Sequence, residues 1–233
     1  MSGFFIFTQS MAKREKIQWK NQLVNLVAII MGVYIAFYLT ERGSAANERK
    51  QARVFLSSMA EDLKEDIKNL TASTDTLRFY VKVSRALARS VLSRKIPNDS
   101  LGVMINSLYL IVPFIPKDNS YQSLLSSGNL DLVDDFTTRS KITELYHQHY
   151  GSIRVTDGIS DQMRIEMITP YLMKNLRFNA AGLMNAEELW RDNMFVNLAF
   201  STQYSLSMKY QMDSTALVHA KELRNLILKE ISE

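Results

Sequence analysis

Residues 21–40, NQLVNLVAIIMGVYIAFYLT, decide the architecture of this chain, because no charged side chain interrupts it between Lys20 and Glu41. As a helix this stretch would be ~30 Å long, which matches the hydrocarbon thickness of a bilayer. Trp19 and Tyr38 lie near its two ends, where aromatic residues anchor membrane helices at the interface. The sequence therefore predicts one transmembrane helix over residues 21–40.

Two other interpretations account for part of this pattern. A buried core helix is disfavoured because soluble helices of this length usually carry a charge or a strong polar stripe. A cleaved signal peptide is suggested by the small residues at positions 43–46, but the apolar run is longer than the ~7–15 residues of a signal h-region. A membrane anchor is favoured over both.

The distribution of charge predicts how the span is oriented. Four basic residues within residues 13–20 precede the span and four within residues 42–53 follow it, so the positive-inside count is equal. A short basic tail tends to stay in the cytoplasm, whereas long domains translocate largely regardless of charge. We expect residues 1–20 to be a cytoplasmic tail, and residues 41–233 to form a helical periplasmic domain of an inner-membrane protein.

Composition restricts the class of the domain. Eight glycines and four prolines are few for 233 residues, which favours long helices over turn-rich β folds. The chain has no cysteine, which excludes disulfides and thiolate metal sites. The formal net charge of +4 comes mostly from the tail, so nucleic acid is not an expected partner.

A long helix is predicted directly after the span, over residues 45–93. Four leucines recur in it every seven residues: Leu56, Leu63, Leu70 and Leu77. Asp66 and Ser73 stand where a coiled coil would need its second apolar register, so packing within the chain's own bundle is favoured over a coiled-coil dimer.

Hydrophobic periodicity predicts helices in the rest of the chain. Their approximate ranges are residues 101–111, 120–127, 135–153, 160–176 and 193–231. Asp157-Gly158 predicts a turn, with a locally distorted helix as the alternative, and Pro170 predicts a kink or restart. The expected fold is all-α: one N-terminal transmembrane helix followed by an elongated antiparallel bundle of four principal helices, with a short-helix insertion after the first.

Two segments are candidate contact sites. Ala28, Gly32 and Ala36 are four residues apart on one face of the span, which would let another membrane helix approach closely; a smooth face against lipid is the alternative. The second segment contains Tyr121, Ser126, Ser127, Gly128 and Asn129. Its backbone N–H groups could bind an anion, although a helix-stop turn explains every residue, so it is an interface or a structural segment.

Residues able to carry chemistry are few. His147 and His149 would point ~200° apart on a helix and could share a metal only on a strand, and His219 stands alone in the sequence. Acidic residues 61, 62, 65 and 66 alternate with Lys64 and Lys68, as on a solvated face with ion pairs. Neither nucleophile-elbow nor phosphate-loop motifs occur. We expect no catalytic, cofactor-binding or metal site, and no enzymatic activity.

Four stretches of the sequence resemble an uncharacterised family of Bacteroidota membrane proteins: Gly32–Ala36, Asn47–Gln51, Met59–Asp66 and Tyr121–Leu130. The resemblance covers roughly residues 23–150, and YQSLLSSGNL at Tyr121–Leu130 is its most specific part. It implies one N-terminal span and a helical extracytoplasmic domain, and it implies no activity.

These features together favour a membrane-anchored protein-interaction module, a subunit or accessory of a larger envelope complex. The expected partner is another membrane protein or a second copy of the chain. The alternative is an extracytoplasmic sensor of a small molecule that signals through a partner membrane protein, which is less favoured because the short tail offers no output domain.

Overall fold

The structure, a computed structural model, describes residues 19–95, 100–179 and 182–232. Residues 1–18 of the basic tail, which was predicted over residues 1–20, lie outside the described residues. The chain divides into two compact units between Glu48 and Arg49. The tail, span and domain ranges predicted from the sequence, with the periplasmic domain beginning at residue 41, stay predictions.

The described residues are mostly helical. The helices are α1 (Trp19–Ser93), α2 (Leu101–Tyr109), α3 (Asn119–Ser126), α4 (Phe136–Thr143), α5 (Tyr150–Met163), α6 (Thr169–Asn175), α7 (Ala186–Leu189) and α8 (Asn193–Ser232). A 3₁₀ turn covers Asn129–Leu132, and π-helical segments cover Glu144–His149 and Arg164–Ile168. A two-residue strand β1 (Phe178–Asn179) pairs antiparallel with β2 (Gly182–Leu183). The prediction of an all-α fold is confirmed.

In the first unit, the apolar part of α1 is long enough to cross a membrane. Residues 23–40 of this helix contain no charged side chain, and all of them are exposed in the structure. At its C-terminal end, the guanidinium carbon of Arg42 lies 4.6 Å from the centroid of the Tyr38 ring. By length and composition, this helix is a candidate membrane span.

In the second unit, α1 packs within the bundle. The heptad leucines Leu56, Leu63, Leu70 and Leu77 are at most 2% exposed. Each buried leucine stabilises the folded chain by ~1.5–3 kcal/mol relative to an exposed one. The heptad therefore belongs to the core of the chain's own domain, as the sequence predicted.

The long helices of this unit differ in direction. One cluster of the core contains Leu63, Leu145 and Leu223. A second cluster contains Leu87, Leu172 and Leu198. The chain therefore runs from the first cluster to the second in α1 and in the helical residues 136–175, and from the second cluster to the first in α8. The antiparallel arrangement predicted from sequence holds for α8 against both neighbours but is wrong for α1 and residues 136–175, which are parallel.

The insertion after α1 explains the parallel pair. The Lys117 N–H donates to Asp66 Oδ1 at 2.8 Å, and the Ser120 N–H donates to Asp62 Oδ2 at 3.2 Å. The chain therefore returns along α1 before α3 begins, and the next long helix starts from the end where α1 enters the unit. The predicted short-helix insertion is confirmed, and it acts as a crossover.

The turn predicted at Asp157-Gly158 is wrong, because both residues lie inside α5. As a consequence, the helices predicted over residues 135–153 and 160–176 are one continuous helical stretch rather than two principal helices. Tertiary contacts outweigh the local turn preference: Asp157 Oδ2 accepts a hydrogen bond from the Phe114 N–H at 3.0 Å. The restart predicted at Pro170 corresponds to the π segment Arg164–Ile168, which ends just before α6 begins at Thr169.

Candidate functional site

An apolar groove lies between α5 and α8. Helical spacing places residues 156, 159, 160 and 163 on one face of α5, opposite residues 200, 201, 204, 205 and 208 of α8. The groove has a volume of about 600 Å³. Ile159 and Tyr204 are 64% and 66% exposed, so apolar and aromatic surface is open to solvent here.

Small hydroxyl side chains lie along the contact between the two helices. The Oγ atoms of Ser160 and Ser205 are 2.9 Å apart, and Thr156 Oγ1 donates to Met212 Sδ at 3.3 Å. These contacts satisfy the hydroxyl groups within the domain. The surface that remains available for binding is therefore mainly hydrophobic, supplied by Phe200, Tyr204 and their neighbours.

A buried charge network lies near the groove, one residue along α8 from Met208. Lys209 Nζ is 2.8 Å from Asp213 Oδ1 and 3.0 Å from Asp157 Oδ1. Ser73 Oγ of α1 donates to Asp213 Oδ2 at 2.5 Å. Burial raises the pKa of Asp213, and the Lys209 ammonium acts against that increase. The Lys209 ammonium thus links α8 to Asp157 of α5. Asp213, also on α8, links the same helix to Ser73 of α1.

The acidic face predicted around residues 61–66 is solvated only in part. Lys64 pairs with Glu61 at 3.0 Å on the surface, as expected. Asp66 is instead fully buried, because α3 and the segment before it cover that face. The expectation that Asp66 belongs to a solvated face is wrong.

Burial raises the pKa of Asp66 to about 6, and the hydrogen bond from the Lys117 N–H opposes that change. Because an unfolded aspartate titrates near pH ~4, the folded chain binds this proton more tightly than the unfolded chain does. Protonation of Asp66 therefore stabilises the folded chain fully below about pH 4. This stabilisation is lost as the pH rises through about 6.

The serine-glycine segment functions as a helix stop. Gly128 has a φ of +68°, a left-handed conformation that favours glycine. The hydroxyls of Ser126 and Ser127 donate to the Ser123 carbonyl at 3.2 and 2.8 Å. Asn129 begins the 3₁₀ turn. This geometry supports the structural interpretation of the segment.

Tyr121 anchors this segment in the core. It is buried, and its ring stacks on that of Tyr146 with centroids 4.3 Å apart and planes 8° from parallel.

The small residues of the span, Ala28, Gly32 and Ala36, are exposed in the structure. A Cβ added at Gly32 would meet no atom within 4 Å.

Two of the three histidines, from the π segment Glu144–His149 and from α8, are neighbours in the structure. His147 and His149 are on one π-helical segment, and His149 stacks on His219 of α8 with ring centroids 4.1 Å apart. His219, which is isolated in the sequence, therefore has a histidine neighbour in the fold. Sequence spacing contained no signal for this pair, because their distance depends on how α8 packs.

A family model matches residues 25–204, about three quarters of the chain, and describes a family of unknown function, DUF6090. Neither a curated protein nor a solved structure matches the chain. The match agrees with the resemblance to an uncharacterised family and extends it beyond residue 150. The chain belongs to the DUF6090 family of unknown function.

Proposed function

We propose that this protein is a single-pass inner-membrane protein whose periplasmic helical domain binds another membrane protein, as a subunit or accessory of an envelope complex. The exposed apolar surface of the groove between α5 and α8 is the observation that carries this proposal. The exposed apolar part of α1 supports the membrane anchor. The tail of residues 1–20 is assigned to the cytoplasm and residues 41–233 to the periplasm.

The groove fits an apolar helix of the partner. Two packed helices present parallel ridges with a groove between them, into which the side chains of a third helix can insert. The serines at positions 160, 201 and 205 are small and leave room for close approach, while Ile159 and Tyr204 offer large apolar contact area. The small-residue face at Ala28, Gly32 and Ala36 would pack a membrane helix of the same partner.

Tyr204→Lys is expected to reduce the yield of the co-purified partner at least about tenfold, because a charge in the groove must be desolvated when the partner helix docks. The measurement is quantitative pull-down of the full chain in mild detergent. Val218→Lys is the matched control, since Val218 is also exposed on α8 but lies outside the groove. Equal partner yields from both variants would refute the role of the groove.

A small-molecule sensor is the second candidate function. The groove volume of about 600 Å³ lies in the ~300–1,000 Å³ range of ligand pockets. A ligand that binds the folded chain alone raises its melting temperature. Thermal-shift screening of the full chain with small apolar molecules therefore separates the two functions: only a sensor gains stability, and Tyr204→Lys would abolish that gain.

A further inference from the structure

We propose that Glu144, His149 and His219 form a binding site for a divalent transition-metal ion of the Zn²⁺ type. One carboxylate oxygen and one ring nitrogen from each histidine lie within 4.8 Å of one another. Two imidazoles and one carboxylate form the ligand set of many zinc sites with an open fourth position. This site is separate from the groove and does not depend on the proposed function.

The π-helical segment brings the first two ligands together. On an α-helix, residues 144 and 149 would lie ~140° apart around the axis and could not share an ion. Residues Glu144–His149 instead form a π turn, whose hydrogen bonds link residues five apart. Glu144 Oε1 is consequently 3.7 Å from His149 Nε2.

The geometry of this pair is closer to that of two metal ligands than to that of a hydrogen bond. Two ligand atoms at zinc distances in a tetrahedron are ~3.3 Å apart. His149 Nε2 is buried and has no hydrogen-bond partner among the described residues. A metal ion bound to His149 Nε2 would give this nitrogen a partner. A buried polar atom without a partner costs free energy.

The third ligand comes from α8. The His219 ring stacks on the His149 ring with centroids 4.1 Å apart and planes 24° from parallel, so at least one ring must turn out of the stack before both nitrogens can bind one ion. The Nδ1 atom of His219 lies 4.0 Å from Glu222 Oε2, which is longer than a hydrogen bond, so Glu222 would orient the ring only after His219 turns towards the ion. Lys141 Nζ is 3.3 Å from the same Glu222 oxygen. The Glu222 carboxylate therefore balances the positive charge of Lys141 beside the site.

The site can be tested with Zn²⁺ on the untagged full chain, purified in detergent and stripped with a chelator. The chain has three histidines and no cysteine, so competing sites are few. Isothermal titration calorimetry is expected to show one Zn²⁺ per chain with micromolar or tighter affinity, and the melting temperature is expected to rise, because the ion links α8 to the π segment.

His219→Ala is expected to weaken Zn²⁺ binding at least about tenfold. Glu144→Gln keeps the shape of the side chain and is expected to weaken Zn²⁺ binding similarly. This second variant tests the ligand set even if His219→Ala does not fold. His147→Ala is the matched control, since His147 lies on the same π segment outside the cluster, and should bind as the wild type does. Absence of stoichiometric binding by the wild type would overturn the proposal, and so would unchanged affinity in both ligand variants or loss of binding in His147→Ala.

Discussion

Lys209→Met is expected to lower the free energy of unfolding by about 3–5 kcal/mol, because it leaves the buried carboxylate of Asp213 and the half-buried carboxylate of Asp157 without their cation. Asp157 and Asp213 both lie within 3.0 Å of the ammonium, and Lys209 is itself 5% exposed. The measurement is urea or thermal unfolding of the full chain in detergent, followed by circular dichroism. Replacing Asp213 by Asn in the same chain should recover part of the loss, since it removes one of the unpaired charges.

Lys221→Met is the control for this prediction. Lys221 is an exposed lysine of the same helix α8, and surface charges of this kind contribute ~0–1 kcal/mol. A Lys209→Met variant that unfolds like the control would show that the ammonium does not hold α5 and α8 together.

Leu63→Asp is expected to abolish the cooperative unfolding transition. Leu63 is fully buried and packs in the cluster that contains Leu145 and Leu223. The substitution removes ~2–5 kcal/mol of packing and buries a charge without a partner, against a total stability of ~5–15 kcal/mol for a typical domain. Near- and far-ultraviolet circular dichroism during a thermal melt would record the loss.

Leu92→Asp provides the matched comparison on α1. Leu92 is 74% exposed, so the same substitution there is expected to cost less than about 1 kcal/mol. If Leu63→Asp melted as this variant does, the heptad leucines would face a partner rather than the core of the chain.

Features governed by local periodicity could be predicted from the sequence. The leucine heptad of α1 and the positive φ of Gly128 each follow from residues within a few turns of one another. The apolar run at residues 21–40 has the same local character, because uninterrupted hydrophobicity needs no information on packing. These signals give the helices and the candidate span.

Features governed by distant contacts could not be predicted. In the sequence Asp66 resembles a surface acid, because its hydrogen-bond donor, the Lys117 N–H, is 51 residues further along the chain. Asp157 resembles a turn residue, because its partner Lys209 is 52 residues further along the chain. The π turn that joins Glu144 to His149 has no hydrophobic period of its own. Parallel packing of α1 with residues 136–175 likewise depends on the path of the insertion.

The most direct test of the interaction proposal is photo-crosslinking in intact membranes from a photoreactive phenylalanine analogue placed at position 204 in the groove. The control carries the analogue at position 79, an exposed phenylalanine of α1 that does not line the groove. We predict a discrete adduct with a second membrane polypeptide from position 204 and none from position 79. A differently tagged copy of the chain in the adduct would identify the partner as a second copy. Absence of an adduct from position 204, or the same adduct from both positions, would contradict the proposal.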